Sequence, residues 1–138
     1  MKWKSLIEKH LEKNPRMKLN PPATEQQIAE IEKRFGIVLP TDLKEFLGEL
    51  NGDNWLVFST SQIIEINEMQ RTAFDFYMPL DCLLFIAGNG CGDYYGYPIT
   101  RDGIDGRKIY MWEHEDDSRI YKASGLKDMI EKYFSDQI

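Results

Sequence analysis

A five-residue apolar run, Leu83-Leu84-Phe85-Ile86-Ala87, leads into Gly88-Asn89-Gly90-Cys91-Gly92, which gives way to Asp93-Tyr94-Tyr95-Gly96-Tyr97-Pro98-Ile99. The apolar run is short and bounded by turn residues, which predicts a buried strand. The glycine segment predicts a tight turn, and the aromatic segment a second strand with Tyr94, Tyr95 and Tyr97 distributed over its faces. Arg101-Asp102-Gly103 is the next turn, and Lys108 to Trp112 a third strand. Two successive tight turns make an antiparallel meander. Ile120-Tyr121 starts a fourth strand, and Ser124 caps a last helix with Leu126, Met129, Ile130 and Tyr133-Phe134 inward.

Upstream the period changes from two to 3.6. Trp3, Leu6, Ile7, His10 and Leu11 share one helix face, and that helix should stop near Asn14-Pro15. Residues 15 to 23 hold three prolines and form a connector. Thr24-Glu25-Gln26-Gln27 is a capping-box pattern opening a helix with Ile28, Ile31 and Phe35 on one face and Gly36 as its left-handed end. Pro40 or Thr41 opens the next helix, with Leu43, Phe46, Leu47 and Leu50 inward, closed by Asn51-Gly52. Trp55 to Phe58 reads as a short strand. Ser59 or Ser61 caps a helix carrying Ile63, Ile64, Ile66 and Met69, which extends as far as Phe76 and is broken by Pro79. Helices, then a meander, then one helix give an α+β fold: a central antiparallel sheet flanked by an N-terminal helix pair and a C-terminal helix.

With 138 residues, the chain should fold to an accessible area of about 7,500 Å² from about 23,500 Å² unfolded. That sustains one core without metal or disulfides. No 18-residue apolar run and no signal-like segment is present, so the expectation is a cytoplasmic protein without a membrane span. Two cysteines, Cys82 and Cys91, are too few for a disulfide scaffold. Residues 1–54 carry nine Lys/Arg and nine Asp/Glu, whereas 55–138 carry eight against fourteen, the whole net charge of −6. An acidic second half argues against direct nucleic-acid binding and suits a basic protein partner. The segment 1–20 is basic, with six Lys/Arg against two Glu, but its small apolar face is better explained by docking on the core than on a membrane.

The candidate chemistry is sparse. Gly88 to Gly92 lacks the Gly-Lys-Ser/Thr and following helix of a phosphate loop. Cys91 with His114 as base would need a third orienting residue, and Asp93 beside it disfavours a thiolate. Glu113-His114-Glu115-Asp116-Asp117 has neither zinc spacing nor an EF-hand pattern, and nothing selects a catalytic carboxylate pair. The chain is therefore expected to be no enzyme, with no catalytic, cofactor-binding or metal residue. Acidic residues beside aromatic ones instead suggest a protein-binding surface.

The order of these signals resembles the SUKH superfamily, the group with homology to a fungal cell-wall-synthesis regulator. The matching residues are Pro22-Ala23-Thr24, Ile31-Glu32, Phe35-Gly36-Ile37-Val38-Leu39-Pro40, Asp42 to Leu47 and Asn51-Gly52. Phe85 to Tyr95, Trp112-Glu113-His114-Glu115 and Ala123-Ser124-Gly125-Leu126 continue the match, which covers roughly residues 20 to 135. The chain departs from the pattern at Asp53-Asn54, where a further glycine is expected, and from Gln62 to Met78. The resemblance implies one α+β domain over 1–138, with 1–20 as an extension packed on the core. It implies an immunity protein that binds a cognate polymorphic toxin, often a nuclease, or alternatively a regulator or scaffold in cell-wall (glucan) synthesis. Pro40, Asn51, Gly52, Gly88, Gly90 and Gly92 are then structural. The expected partner surface is Asp93, Tyr95, Tyr97, Glu113, Glu115, Asp116 and Asp117.

Overall fold

The computed structural model describes residues 1–72 and 80–138. Helices α1 (Lys2–Glu8), α2 (Glu25–Phe35), α3 (Thr41–Glu49) and α4 (Thr60–Thr72) precede strands β1 (Leu83–Gly88), β2 (Tyr94–Thr100), β3 (Gly103–Ile104), β4 (Ile109–Glu113) and β5 (Ser118–Ala123). Helix α5 (Leu126–Phe134) closes the chain. The sheet is antiparallel, in the order β1-β2-β4-β5, with the short β3 paired to β2. This is an α+β fold with a meander sheet. Its accessible area is 7800 Å², close to the ~7,500 Å² that chain length predicts for a single core.

Helix α1 docks through Trp3, Leu6 and Ile7, all buried, with Trp3 edge-on to Phe46 of α3 at 6.0 Å. Its first amides have no local cap, so Glu49 of α3 supplies one: Oε1 accepts from Trp3 N at 2.9 Å and Lys4 N at 3.0 Å. The α-helix ends at Glu8 rather than near Asn14. Beyond it the chain tightens into three-residue turns, with His10 N on Ile7 O and Leu11 N on Glu8 O. That turns His10 to stack on Phe134 at 4.3 Å.

The capping box of α2 is present in both directions between Thr24 and Gln27, and Gly36 ends the helix at φ 64. Pro40 is the residue before α3. Its ring sits where a Cβ on Gly106 would come within 2.8 Å. Asn51 joins α3 to α4, its Oδ1 accepting from Thr60 N at 2.8 Å. Gly52 lies at φ 85, and a Cβ there would meet Ser59 N at 2.7 Å, so the residue must be glycine on both conformation and space. Ser59, not Ser61, caps α4, in a second reciprocal box with Gln62.

Two further expectations change on contact with tertiary structure, and a third is not tested. Leu56 to Phe58 forms only an isolated bridge, Val57 to Ala87, because Asp53 folds the preceding residues into a turn. Ser124 does not cap α5. The side chain of Asp128 reaches back instead, accepting from Ser124 N at 2.9 Å and Ser124 Oγ at 3.1 Å. The extension of α4 to Phe76 and the break at Pro79 lie outside the described residues.

Candidate functional site

The β1–β2 turn is built by Asn89 and Asp93. Asn89 Oδ1 accepts from Cys91 N at 2.8 Å, and Asn89 Nδ2 donates to Asp93 Oδ2 at 3.0 Å. This side-chain-to-backbone closure is what Asn does in tight turns. Gly92, at φ 94, leaves room for the His114 ring, which a Cβ would meet at 3.0 Å. Asp93 then ties this turn to the β4–β5 turn: its Oδ1 accepts from His114 N at 3.1 Å and faces His114 Nδ1 at 2.7 Å. An ionised carboxylate only accepts, so the pairing places the proton of His114 on Nδ1. Burial works to raise the pKa of Asp93. The hydrogen bonds from His114 and Asn89 outweigh it and hold the carboxyl below its ordinary value.

The β4–β5 turn presents the acidic run. Glu115 and Asp116 are exposed, and Glu113 and Asp117 half-buried. Asp117 adopts φ 60, and its Oδ1 accepts from Trp112 Nε1 at 2.6 Å and Arg119 Nη2 at 3.4 Å. Asp116 accepts from Ser118 N at 3.0 Å. Those Ser118 bonds lower the Asp116 pKa, against an opposing contribution from the nearby charge of Asp93. Five of the seven residues singled out in the sequence, Asp93, Glu113, Glu115, Asp116 and Asp117, thus share one end of the sheet. Asp93 and Asp117 hold the two turns in shape, which leaves Glu113, Glu115 and Asp116 as the most available carboxylates.

The other two are corrected. Tyr97 has no exposed surface and Tyr95 only 3%. Strand β2 is central, and in its middle, from Tyr95 to Tyr97, both faces are covered, so alternation there carries neither tyrosine to solvent. Burial pushes the Tyr95 phenol up to about 12, with Tyr133, Asp93 and Cys91 adding to the effect. Burial likewise pushes Tyr97 upward.

The aromatic surface lies elsewhere. A cleft of about 560 Å³ opens on the other flank of the glycine turn, lined by Trp55, Tyr133, Phe134, Asn89, Cys91 and Lys13, among others. Trp55 is 41% exposed. It is displayed by the turn that Asp53 organises, whose Oδ1 accepts from the amides of Trp55, Leu56 and Val57 at 2.9, 2.8 and 3.0 Å. Tyr133 and Phe134, expected inward from sequence periodicity, are half-buried against the core and also line this cleft. The signal that could have found the cleft is the Asp53-Asn54-Trp55 sequence, a turn former followed by a large aromatic.

Asp93 on His114 Nδ1 is the orienting partner that a His base would need, but among the described residues no hydrogen bond joins His114 to Cys91, which lines the aromatic cleft. Among the described residues, no group of three or more His, Cys, Asp or Glu could hold a metal ion. Among them, too, no helix is long and apolar enough to cross a membrane. What the geometry offers is a rigid acidic edge beside an aromatic cleft, suited to contact with another macromolecule.

Comparison with known proteins agrees with this architecture. "Uncharacterized protein YnaB" of Bacillus subtilis (strain 168) is 34% identical over 91 residues, which cover 61% of this chain and 63% of that protein. The chain therefore spans just under two thirds of that relative's length. A family model described as SMI1 / KNR4 family (SUKH-1) matches residues 22–132, from the segment before α2 into α5. The match takes in both helix junctions, the glycine turn and the acidic turn, and the chain belongs to the SMI1 / KNR4 family (SUKH-1).

Proposed function

We propose that this protein is a non-catalytic binding module, an immunity protein that neutralises a cognate toxin in the cytoplasm by covering its active site. Family membership supports an immunity-type or regulator-like domain that works through protein–protein contact. The observation that supports the immunity reading is the acidic edge: Glu113, Glu115 and Asp116 lie together on a turn tied to its neighbours by the Asp93–His114 and Asp117–Trp112 pairs. A local concentration of carboxylates of that kind complements the basic cleft of a nuclease. Trp55, exposed beyond the glycine turn, supplies the apolar anchor that such interfaces concentrate their affinity in. The cell-wall regulatory reading has the family resemblance alone behind it.

The test is co-expression with the toxin domain encoded beside this gene, followed by growth and pull-down. Rescue with a one-to-one complex is expected. Joint substitution of Glu113→Gln, Glu115→Gln and Asp116→Asn should weaken the complex by about a hundredfold, given about 1 kcal/mol per desolvated charge pair. A complex of unaltered affinity refutes the acidic surface. Failure to rescue or bind, with both proteins folded, refutes that toxin as the partner.

A further inference from the structure

The aromatic cleft takes one of its walls from the chain ahead of α2. Lys13 and Asn14 line it together with Trp55, Tyr133 and Phe134. The chain is pinned on both sides of that wall. Before it, Ile7 has no exposed surface, and after it Met17 has only 5%, with Lys18 N donating to Asp53 O at 3.0 Å. Between these anchors Lys9, Glu12, Lys13, Pro15 and Arg16 are exposed, and the stretch is seated by His10 and the half-buried Leu11. The His10 imidazole lies flat on the Phe134 ring of α5, at 4.3 Å and 10°. The His10 carbonyl accepts from Asn14 N at 3.1 Å and from Asn14 Nδ2 at 3.0 Å, so the position of Asn14 follows that of His10.

That seat suits an uncharged ring. His10 Nε2 is buried and has no hydrogen-bond partner among the described residues. In a neutral imidazole one nitrogen carries the proton and the other only accepts, so Nε2 can sit there as a bare acceptor with the proton on Nδ1. A second proton turns Nε2 into a charged donor with nothing to donate to, which costs far more than a neutral group left unpaired. Attraction of an imidazolium to the Phe134 face is the smaller quantity. The surrounding charges act in the same direction. Burial, and then Lys9 and Lys13 of the same segment, hold the His10 pKa below its ordinary value of 6.5. Glu8 and Glu12 of that segment are exposed. On α5, Glu131 lines the groove that holds Lys9 and pairs with Lys127 at 3.8 Å. Beyond α5, Asp136 lines the cleft that holds Lys13. Among the described residues, none of these carboxylates hydrogen-bonds the ring.

We infer that residues 9–14 are a proton-released latch on this cleft: a neutral His10 holds them against α5, and a second proton on its imidazole lets them go. A seat that keeps a histidine neutral is favoured above the ordinary histidine value and weakens progressively as pH falls below it. The wall formed by Lys13 and Asn14 is therefore in place at neutral pH and withdrawn in acid, which opens the cleft beside Trp55 and Phe134. Because Ile7 and Met17 stay buried, the change is confined to the turn between them.

The chain has two histidines, His10 and His114, so an NMR titration of the full chain from about pH 8 to about pH 5, which brackets the ordinary histidine value, follows both rings and needs no toxin. The His10 midpoint is expected below 6.5. The amides of Lys13 and Asn14 and the indole of Trp55 should shift with that same midpoint. The nuclear Overhauser contact between the His10 and Phe134 rings, present at the alkaline end, should be lost at the acid end while the resonances of the sheet stay in place. His10→Phe keeps a stacking ring and removes the proton, so Lys13 and Asn14 should stay seated throughout. His10→Gln removes both, and should show at the alkaline end the Lys13 and Asn14 positions that the wild type reaches only in acid. A His10 midpoint at or above 6.5 overturns the inference. So does a ring contact that survives protonation of His10, or a shift of Lys13 and Asn14 that persists in His10→Phe and so belongs to another titrating group.

Discussion

Asp53 shows how much one buried side chain can organise. It has no exposed surface, and its Oδ1 alone gathers three amides into the turn that displays Trp55. Its Oδ2 is buried without a partner among the described residues. Burial pushes its pKa up, and the three amide bonds, which act in the opposite direction, do not fully offset that. A folded-state pKa above the unfolded value favours the native state at low pH. That advantage is lost as pH rises through the raised folded value. Asp53→Asn keeps the accepting oxygen and removes the charge. Its stability relative to wild type should therefore grow between pH 4.5 and pH 8 in urea unfolding, whereas Asp53→Ala should cost about 3 kcal/mol by stranding the buried amides of Leu56 and Val57 and the part-buried one of Trp55. A difference between Asn and wild type that stays constant with pH would show that Asp53 titrates normally. The sequence marked Asn51-Gly52 as a structural pair but passed over Asp53, which read as a departure from the family pattern. An acid has no periodicity to betray its burial, and only the amides around it reveal its task.

At the level of elements, α4 and β1 are joined by Asn67, whose side chain takes the place of a strand partner. β1 pairs with β2 on both sides of a register shift between Phe85 and Ala87. There Asn67 accepts from Phe85 N and donates to Phe85 O and Ile63 O, the last at 2.7 Å. Asn67→Leu has similar volume but would orphan the buried amide and carbonyl of Phe85, so a loss of about 3 kcal/mol is expected. Amide exchange should accelerate most at Phe85. A variant with unchanged exchange there would mean that water or a rearranged strand satisfies the bulge. Helix existence, the cap at Thr24 and the strand order of the meander were legible, and the cap of α4 was narrowed to Ser59 or Ser61, because 3.6- and 2-residue periods with turn residues between them are local signals. Two things were not. The short β3 and the reduction of Leu56–Phe58 to a single bridge depend on which neighbours arrive. The exposure of Tyr95 and Tyr97 depends on whether a strand ends up central or at an edge, which alternation cannot encode.

For the molecule as a whole, the arrangement of charge counts for more than its sum. All of the net −6 belongs to residues 55–138, and its densest stretch is the tip of the β4–β5 hairpin. The Asp93–His114 pair links that tip to the glycine turn. The backbone of the acidic turn is therefore anchored to the neighbouring turn of the sheet. Electrostatic complementarity of that kind acts mainly on the encounter. With a basic toxin, raising salt from about 0.05 to about 0.5 M should slow association about tenfold while dissociation changes less than about twofold. The Glu113→Gln, Glu115→Gln, Asp116→Asn variant should associate more slowly at low salt and lose most of that salt dependence. Trp55→Ala should do the reverse, speeding dissociation with the salt slope intact, since an apolar anchor in a cleft acts after contact. Stopped-flow association and dissociation rates for the three proteins separate the two contributions. If the carboxylate variant keeps the full salt slope, the charge that steers the encounter lies elsewhere on the chain, and the hairpin tip is not the face that meets the partner.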